Sequence, residues 1–259
     1  MLLSRLGNKK AVAKKLYQYF PPHRLRITLF FGAGGMFFNT PRSKFNVIND
    51  LDDDVTNLFL VVSSSPDELI EALTYMPVSS SLLKHWRKEI PADPVLKAVR
   101  FLLLSNFTYL GKGDSIRFGV GDSKEKVIAR IKQTHLNLRD AKIMNEDFRN
   151  VIRKISFYPT VLKKEEAFVY LDPVYLGTEH YYRVPKWTEQ DTYDCFEIMS
   201  NEGIKAAMSE FDHPFILEEA KRRGFTVIPI CNRRNIKNYK NEVLVINYEP
   251  HSLFSQSMP

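Results

Sequence analysis

The chain has 259 residues, 44% of them hydrophobic and 26% charged, which suits one large domain or one domain with a small companion. Two cysteines, Cys195 and Cys231, with no Cys-x-x-Cys and no clustered histidines, argue against a disulfide framework and a metal site and fit a reducing cytoplasm. The longest apolar stretch, Ile27 to Phe38, is too short to span a bilayer and is broken by glycines, so no membrane partner is expected.

The formal net charge of +7 is unevenly spread. Met1 to Arg26 and Lys221 to Lys240 each carry seven basic residues and no acid, whereas Asn49 to Leu83 carries only acids. Two basic segments on a mixed background fit a polyanion such as nucleic acid, and equally an ordinary solvated surface.

In chain order, Val12, Leu16 and Phe20 recur every four residues, which predicts an amphipathic helix over Lys9 to Phe20, stopped by Pro21-Pro22. Arg26 to Phe30 and Phe45 to Asn49 read as strands, with Asp50 at the end of the second. Asp52 to Asp54 read as a helix start rather than a metal site. Ser65-Pro66-Asp67-Glu68 reads as a capped helix start, with serine as the cap and proline at the first helical position. Pro91 to Phe107 looks helical, and Thr108 to Gly121 looks like a glycine-rich hairpin or loop. Strands resume with Ala141 to Asn145 and Ala167 to Leu171. A helix capped by Thr188 to Asp191 follows, then strand candidates at Gly203 to Phe211, Phe225 to Ile230 and Glu242 to Tyr248. Strands alternating with helices predict an α/β fold, a mostly parallel sheet with helices on both faces. Residues 63–133 interrupt the alternation and form a candidate inserted domain between 1–62 and 134–259.

Two motifs carry chemistry. Phe30 to Gly35 ends a strand in Gly-x-Gly, which lets the backbone turn tightly beside a ligand. A nicotinamide-binding turn wants a third glycine where Phe37 stands, so that reading is disfavoured. A glycine turn with an acid ending the next strand, here Asp50, also suits S-adenosylmethionine. The second motif is Phe168 to Gly177, FVYLDPVYLG, a buried strand that opens into Asp172-Pro173-Val174-Tyr175.

Asp172 to Tyr175 resembles the Asp-Pro-Pro-Tyr motif of the amino-methylating DNA methyltransferases. Four further segments match in order: Ser4 to His23, the FFGAGG turn with Asp50, Asn145 to Phe148, and Asn241 to Tyr248. That order is similar to the Dam-type, or α-group, DNA adenine-N6 methyltransferases, including those of T-even phages. The resemblance implies a Rossmann-like sheet dependent on S-adenosylmethionine, with residues 63–133 as a target-recognition domain of helices and a hairpin. It implies a bacterial or phage-encoded cytoplasmic enzyme acting on N6 of adenine flipped out of duplex DNA, with a cognate restriction enzyme as one possible partner and no metal.

By the same resemblance Lys9, Phe31, Gly32, Gly34, Asp50, Asp147 and Phe148 bind the cofactor. Asp172, the Pro173 carbonyl and Tyr175 serve catalysis, the tyrosine as a stacking face for the base. Asn106, Tyr109, Lys112 and Arg117 face DNA. Tyr109 stands where the family has a guanine-reading arginine, and Val174 stands where it has a second proline. Two other readings use the same residues: a DNA-binding relative silenced at Val174, and a methyltransferase for RNA or another planar nitrogen.

Overall fold

The structure is a computed structural model that describes residues 2–3, 8–109, 115–116, 123–178, 185–234 and 239–250. Seven strands, β1 (Leu25–Thr28), β2 (Phe45–Asn49), β3 (Ala141–Met144), β4 (Ala167–Leu171), β5 (Lys205–Phe211), β6 (Thr226–Arg234) and β7 (Tyr239–Ile246), form one sheet in the order β3-β2-β1-β4-β5-β7-β6. Neighbours from β3 to β5 are parallel, and β7 runs antiparallel to both β5 and β6. β1 and β4 are buried along their whole length, as strands covered on both faces must be. Strand order reverses between them, so their carboxyl ends open a crevice of the kind that holds ligands in open α/β sheets.

The helices are α1 (Ala13–Tyr17), α2 (Gly35–Asn39), α3 (Asp53–Ser64), α4 (Pro66–Tyr75), α5 (Ser80–Lys88), α6 (Pro94–Phe107), α7 (Lys124–Leu138), α8 (Phe148–Val151), α9 (Glu189–Asn201) and α10 (Pro214–Arg222). Residues of α8, α9 and α10 cover one face of the sheet. Those of α3 to α7 share a second apolar cluster with Phe31, Phe37 and Ile48. The limits expected at 62 and 134 fall inside α3 and α7, so the inserted helices grow out of the sheet's own layer. Among the described residues no helix is long and apolar enough to cross a membrane.

Two local expectations change. The single helix predicted over Lys9 to Phe20 is a 3-10 turn, Lys9–Ala11, followed by the short α1. The Asn8 side chain accepts from the Lys10 amide at 2.9 Å and closes that turn against α2. The fit needs glycine: a Cβ on Gly35 would stand 2.4 Å from Asn8 Oδ1 and 2.8 Å from the Lys9 amide nitrogen. The second change concerns Ser65, whose side chain does not cap α4; its N–H instead donates to Val61 O and closes α3. Thr188 and Asp191 do form a reciprocal capping box at α9.

Candidate active site at the switch point

The Gly-x-Gly turn leaves β1 with Gly32 at φ +52° and Gly34 at φ +71°, both in the left-handed region that favours glycine. A side chain on Gly34 would collide with the rings of Phe38 and Phe31, 2.4 and 2.8 Å from its Cβ. A Cβ on Gly32 would meet nothing within 4 Å, so the backbone there lies open to a ligand. Asp50 secures this turn: its Oδ2 accepts from the Gly32 amide at 2.6 Å and its Oδ1 from the Asp52 amide at 2.9 Å. Phe31 lies beneath, buried against Phe37, Phe38 and Phe59.

Asn49, which ends β2, joins three strand ends. Its amide donates to Leu29 O and Glu146 O, both at 3.0 Å, and its oxygen accepts from the Glu146 amide. Asp147 and Phe148 therefore follow β3 beside the glycine turn. Asp147 accepts from the amide and the guanidinium of Arg149, which also reaches Asp191 and Asp194 on α9. Phe148 is buried, with Phe30 and Trp187 rings 5.1 and 5.6 Å away. Phe30, which opens the FFGAGG motif, and Trp187 were not among the residues expected at the cofactor.

Across the crevice, Thr28, Phe30, Phe31, Gly34, Tyr170 and Asp172 line one cleft. The structure thus brings the glycine turn and the Asp172 motif together. Lys9 Nζ lies 2.7 Å from Asp172 Oδ1 and 3.3 Å from Glu242 Oε1, and the lysine is 3% exposed against 19% for the aspartate. The ammonium expected near a cofactor is thus paired with the carboxylate of the second motif. Pro173 is buried, and among the described residues nothing donates to its carbonyl oxygen.

Tyr175, expected as a stacking face, lies turned toward the interior in this structure. It is 9% exposed, its hydroxyl donates to Glu242 Oε1 at 2.9 Å, Lys9 Nζ stands 4.6 Å from its ring centroid, and Phe211 meets it edge to face at 4.7 Å. Burial, reinforced by Asp172 and Glu242, holds its phenol well above the usual tyrosine range, so it stays a neutral donor. Glu210 and Glu242, both fully buried behind the loop, were not among the expected site residues, although Glu242 belongs to the Asn241 to Tyr248 segment that matched the family pattern.

The DNA-facing set is less convergent. Asn106 is 3% exposed and its amide donates to Leu2 O and Leu102 O, so it ties α6 to the N-terminal segment and presents no edge to a duplex in this structure. Tyr109 is 63% exposed at the end of α6, where Thr108 and Ile116 form an antiparallel bridge. Lys112 and Arg117 lie outside the described residues. Among those residues no group of three side chains is arranged to hold a metal ion.

The mostly parallel sheet with its crevice at the switch point is consistent with a Rossmann-like methyltransferase. A family model described as D12 class N6 adenine-specific DNA methyltransferase matches residues 6–241, and the chain belongs to that family. It is similar to the Type II methyltransferase M1.LlaDCHI of Lactococcus lactis subsp. cremoris, at 22% identity over 93% of each chain. It is also similar to the DNA adenine methylase of Salmonella typhi, at 24% identity over 65% of this chain and 62% of that one. A solved structure from Haemophilus influenzae, a presumed methylase, aligns over 95% of this chain and 92% of that chain with 11% identity and a TM-score of 0.39, too distant a likeness to argue from.

Proposed function

We propose that the protein transfers a methyl group from S-adenosylmethionine to N6 of an adenine flipped out of duplex DNA. The observation that carries this reading is that the glycine turn and Asp172 line one cleft, which is narrow in this structure and has to widen to admit a donor and a base. The open backbone at Gly32, the Asp50 carboxylate and the Phe30, Phe148 and Trp187 rings fit a nucleoside-bearing donor. When bound, that donor supplies an electrophilic methyl on a sulfonium sulfur.

The chain's own residues prepare the nucleophile. An exocyclic adenine nitrogen is weakly nucleophilic because its lone pair is delocalised into the ring. The Asp172 carboxylate and the Pro173 carbonyl accept hydrogen bonds from the amino group, localise that lone pair, and offset the positive charge that develops on nitrogen. As the carbon–nitrogen bond forms the carbon–sulfur bond breaks, and the methylated nitrogen then gives up one proton to Asp172 or water. Lys9 holds Asp172 Oδ1, so the carboxylate is aimed before the base arrives. Tyr175 shapes the pocket from behind, held there by Glu242 and Phe211. A duplex adenine reaches this pocket only when unstacked.

The β6–β7 hairpin supports DNA as the substrate. Its ladder continues to Arg234 and Tyr239, past the Phe211–Glu242 pair where β5 stops. It therefore overhangs the catalytic edge by roughly 10 Å at about 3.4 Å per residue. The sequence puts Arg233, Arg234 and Lys240 on the paired backbone of that overhang, and basic residues are common partners of phosphate. The Type II name of the Lactococcus relative supports a restriction enzyme as cellular partner, with both acting in the cytoplasm.

The test is product identity. Protein incubated with the methyl donor and unmethylated duplex DNA should yield N6-methyladenosine on digestion and mass spectrometry, and Asp172→Ala should yield none. Product on RNA alone would refute the DNA reading. Product that appears only after Val174→Pro would identify a silenced relative.

A further inference from the structure

We propose that Glu210 is a positioning residue that clamps the catalytic loop, residues 172–176, onto the end of β5. The inference rests on the functional reading above, since the loop's position matters only if Asp172 does the chemistry.

Only Pro173 in this loop has its φ fixed by a ring; Val174, Tyr175 and Leu176 do not. Lys9 ties down the loop's near end through Asp172. Its far end is held by Glu210, whose Oε1 accepts from the Leu176 amide at 3.1 Å and from the Phe211 amide at 3.0 Å. The ring of Phe211, the next residue, packs edge to face on Tyr175. One strand end thus grips the loop twice, through a backbone amide and through an aromatic ring.

The carboxyl is costly where it sits. Glu210 is fully buried and its Oε2 has no hydrogen-bond partner among the described residues. A buried polar atom left unsatisfied asks for a compensating reason. The two amide bonds at Oε1 are that reason, and one of them fixes where the loop turns away from β5. A shift of about 1 Å at a reacting group can cost on the order of 100-fold in rate.

The test compares the full-length protein with Glu210→Gln, Glu210→Asn and Glu210→Leu. Glutamine keeps an oxygen at Oε1, asparagine stays polar but draws it back by one methylene, and leucine removes it. Hydrogen–deuterium exchange over residues 172–178 reads the clamp directly. Turnover is measured in parallel with S-adenosylmethionine and unmethylated plasmid DNA. The expected result is near-wild-type exchange and kcat for Gln, with faster loop exchange for Asn and Leu. Both should also lose about 10- to 100-fold in kcat, with little change in KM for the donor.

Unchanged loop exchange in Asn and Leu would overturn the proposal, as would a Gln variant as impaired as Asn. A rise in kcat on losing the contact would also overturn it, because the contact would then hold the loop in an unproductive position. If leucine does not fold, the Gln–Asn comparison still decides. Exchange needs no turnover, so an inactive wild type would sink the functional reading while leaving the clamp to be judged by exchange alone.

Discussion

Lys9, near the start of the sequence, and Asp172, far along it, meet at 2.7 Å in the crevice. The aspartate was legible because it directly ends a buried apolar run beside a proline. The lysine was legible as a site residue through the Gly7-Asn8-Lys9 turn of the N-terminal motif, but nothing local to it pointed to a contact with Asp172. Glu210 was hidden because a glutamate in a strand normally marks a solvent-facing position; it and Glu242, which lay in the matched closing segment, are both buried beneath the loop. Burial pushes the Glu210 carboxyl up to about 8. The charged or titratable groups around it are Lys9 from the N-terminal turn, Asp172 and Tyr175 from the loop, Cys195 from α9 and Glu242 from β7. A carboxyl kept neutral in the folded chain but ionised in the unfolded one lowers stability as pH rises. Its contribution is favourable near the ordinary glutamate range, falls up to about pH 8, and then levels off. Melting temperatures from pH 5 to 9 should therefore show wild type losing ground to Glu210→Gln as pH rises; parallel curves would contradict the assignment.

At the scale of elements, the strands were the most readable part of the chain, because central parallel strands are continuous apolar runs with turn residues at their ends. The N-terminal helix was misjudged because its four-residue spacing survives in Leu16 and Phe20, while the close approach of Gly35 to Asn8 and Lys9 tightens the first turn. The inserted helices were visible as an interruption of the alternation, but their anchoring was not. Arg100 of α6 is fully buried and donates to Asp54 Oδ2 of α3 at 3.0 Å and to Trp86 O of α5 at 2.7 Å, joining three helices at one guanidinium. Arg100→Met leaves the Asp54 charge buried without that partner and should destabilise the fold by about 3–5 kcal/mol. Adding Asp54→Leu should recover much of the loss, as read by equilibrium urea unfolding. A single variant as stable as wild type would mean that the pair does not anchor the insertion.

For the whole molecule, the function follows from where the strand order turns. Reversal between β1 and β4 sets the glycine turn and Asp172 on one cleft, with Asp50 and Asn49 bracing one side and Lys9, Glu210 and Glu242 the other. The basic hairpin overhangs the same edge, and the inserted helices rise from the neighbouring layer. The order of motifs along the chain already pointed to this layout. What it could not convey is that the loop carrying Asp172 is gripped from inside, with Tyr175 turned toward the core. The measurement that tests the account most directly is the single-turnover rate of methyl transfer to DNA in Asp172→Ala against wild type, with donor occupancy fixed by equilibrium binding. The account predicts donor affinity close to wild type and a rate lowered by at least about 100-fold. Transfer at the wild-type rate, or a loss that follows donor affinity alone, would contradict it.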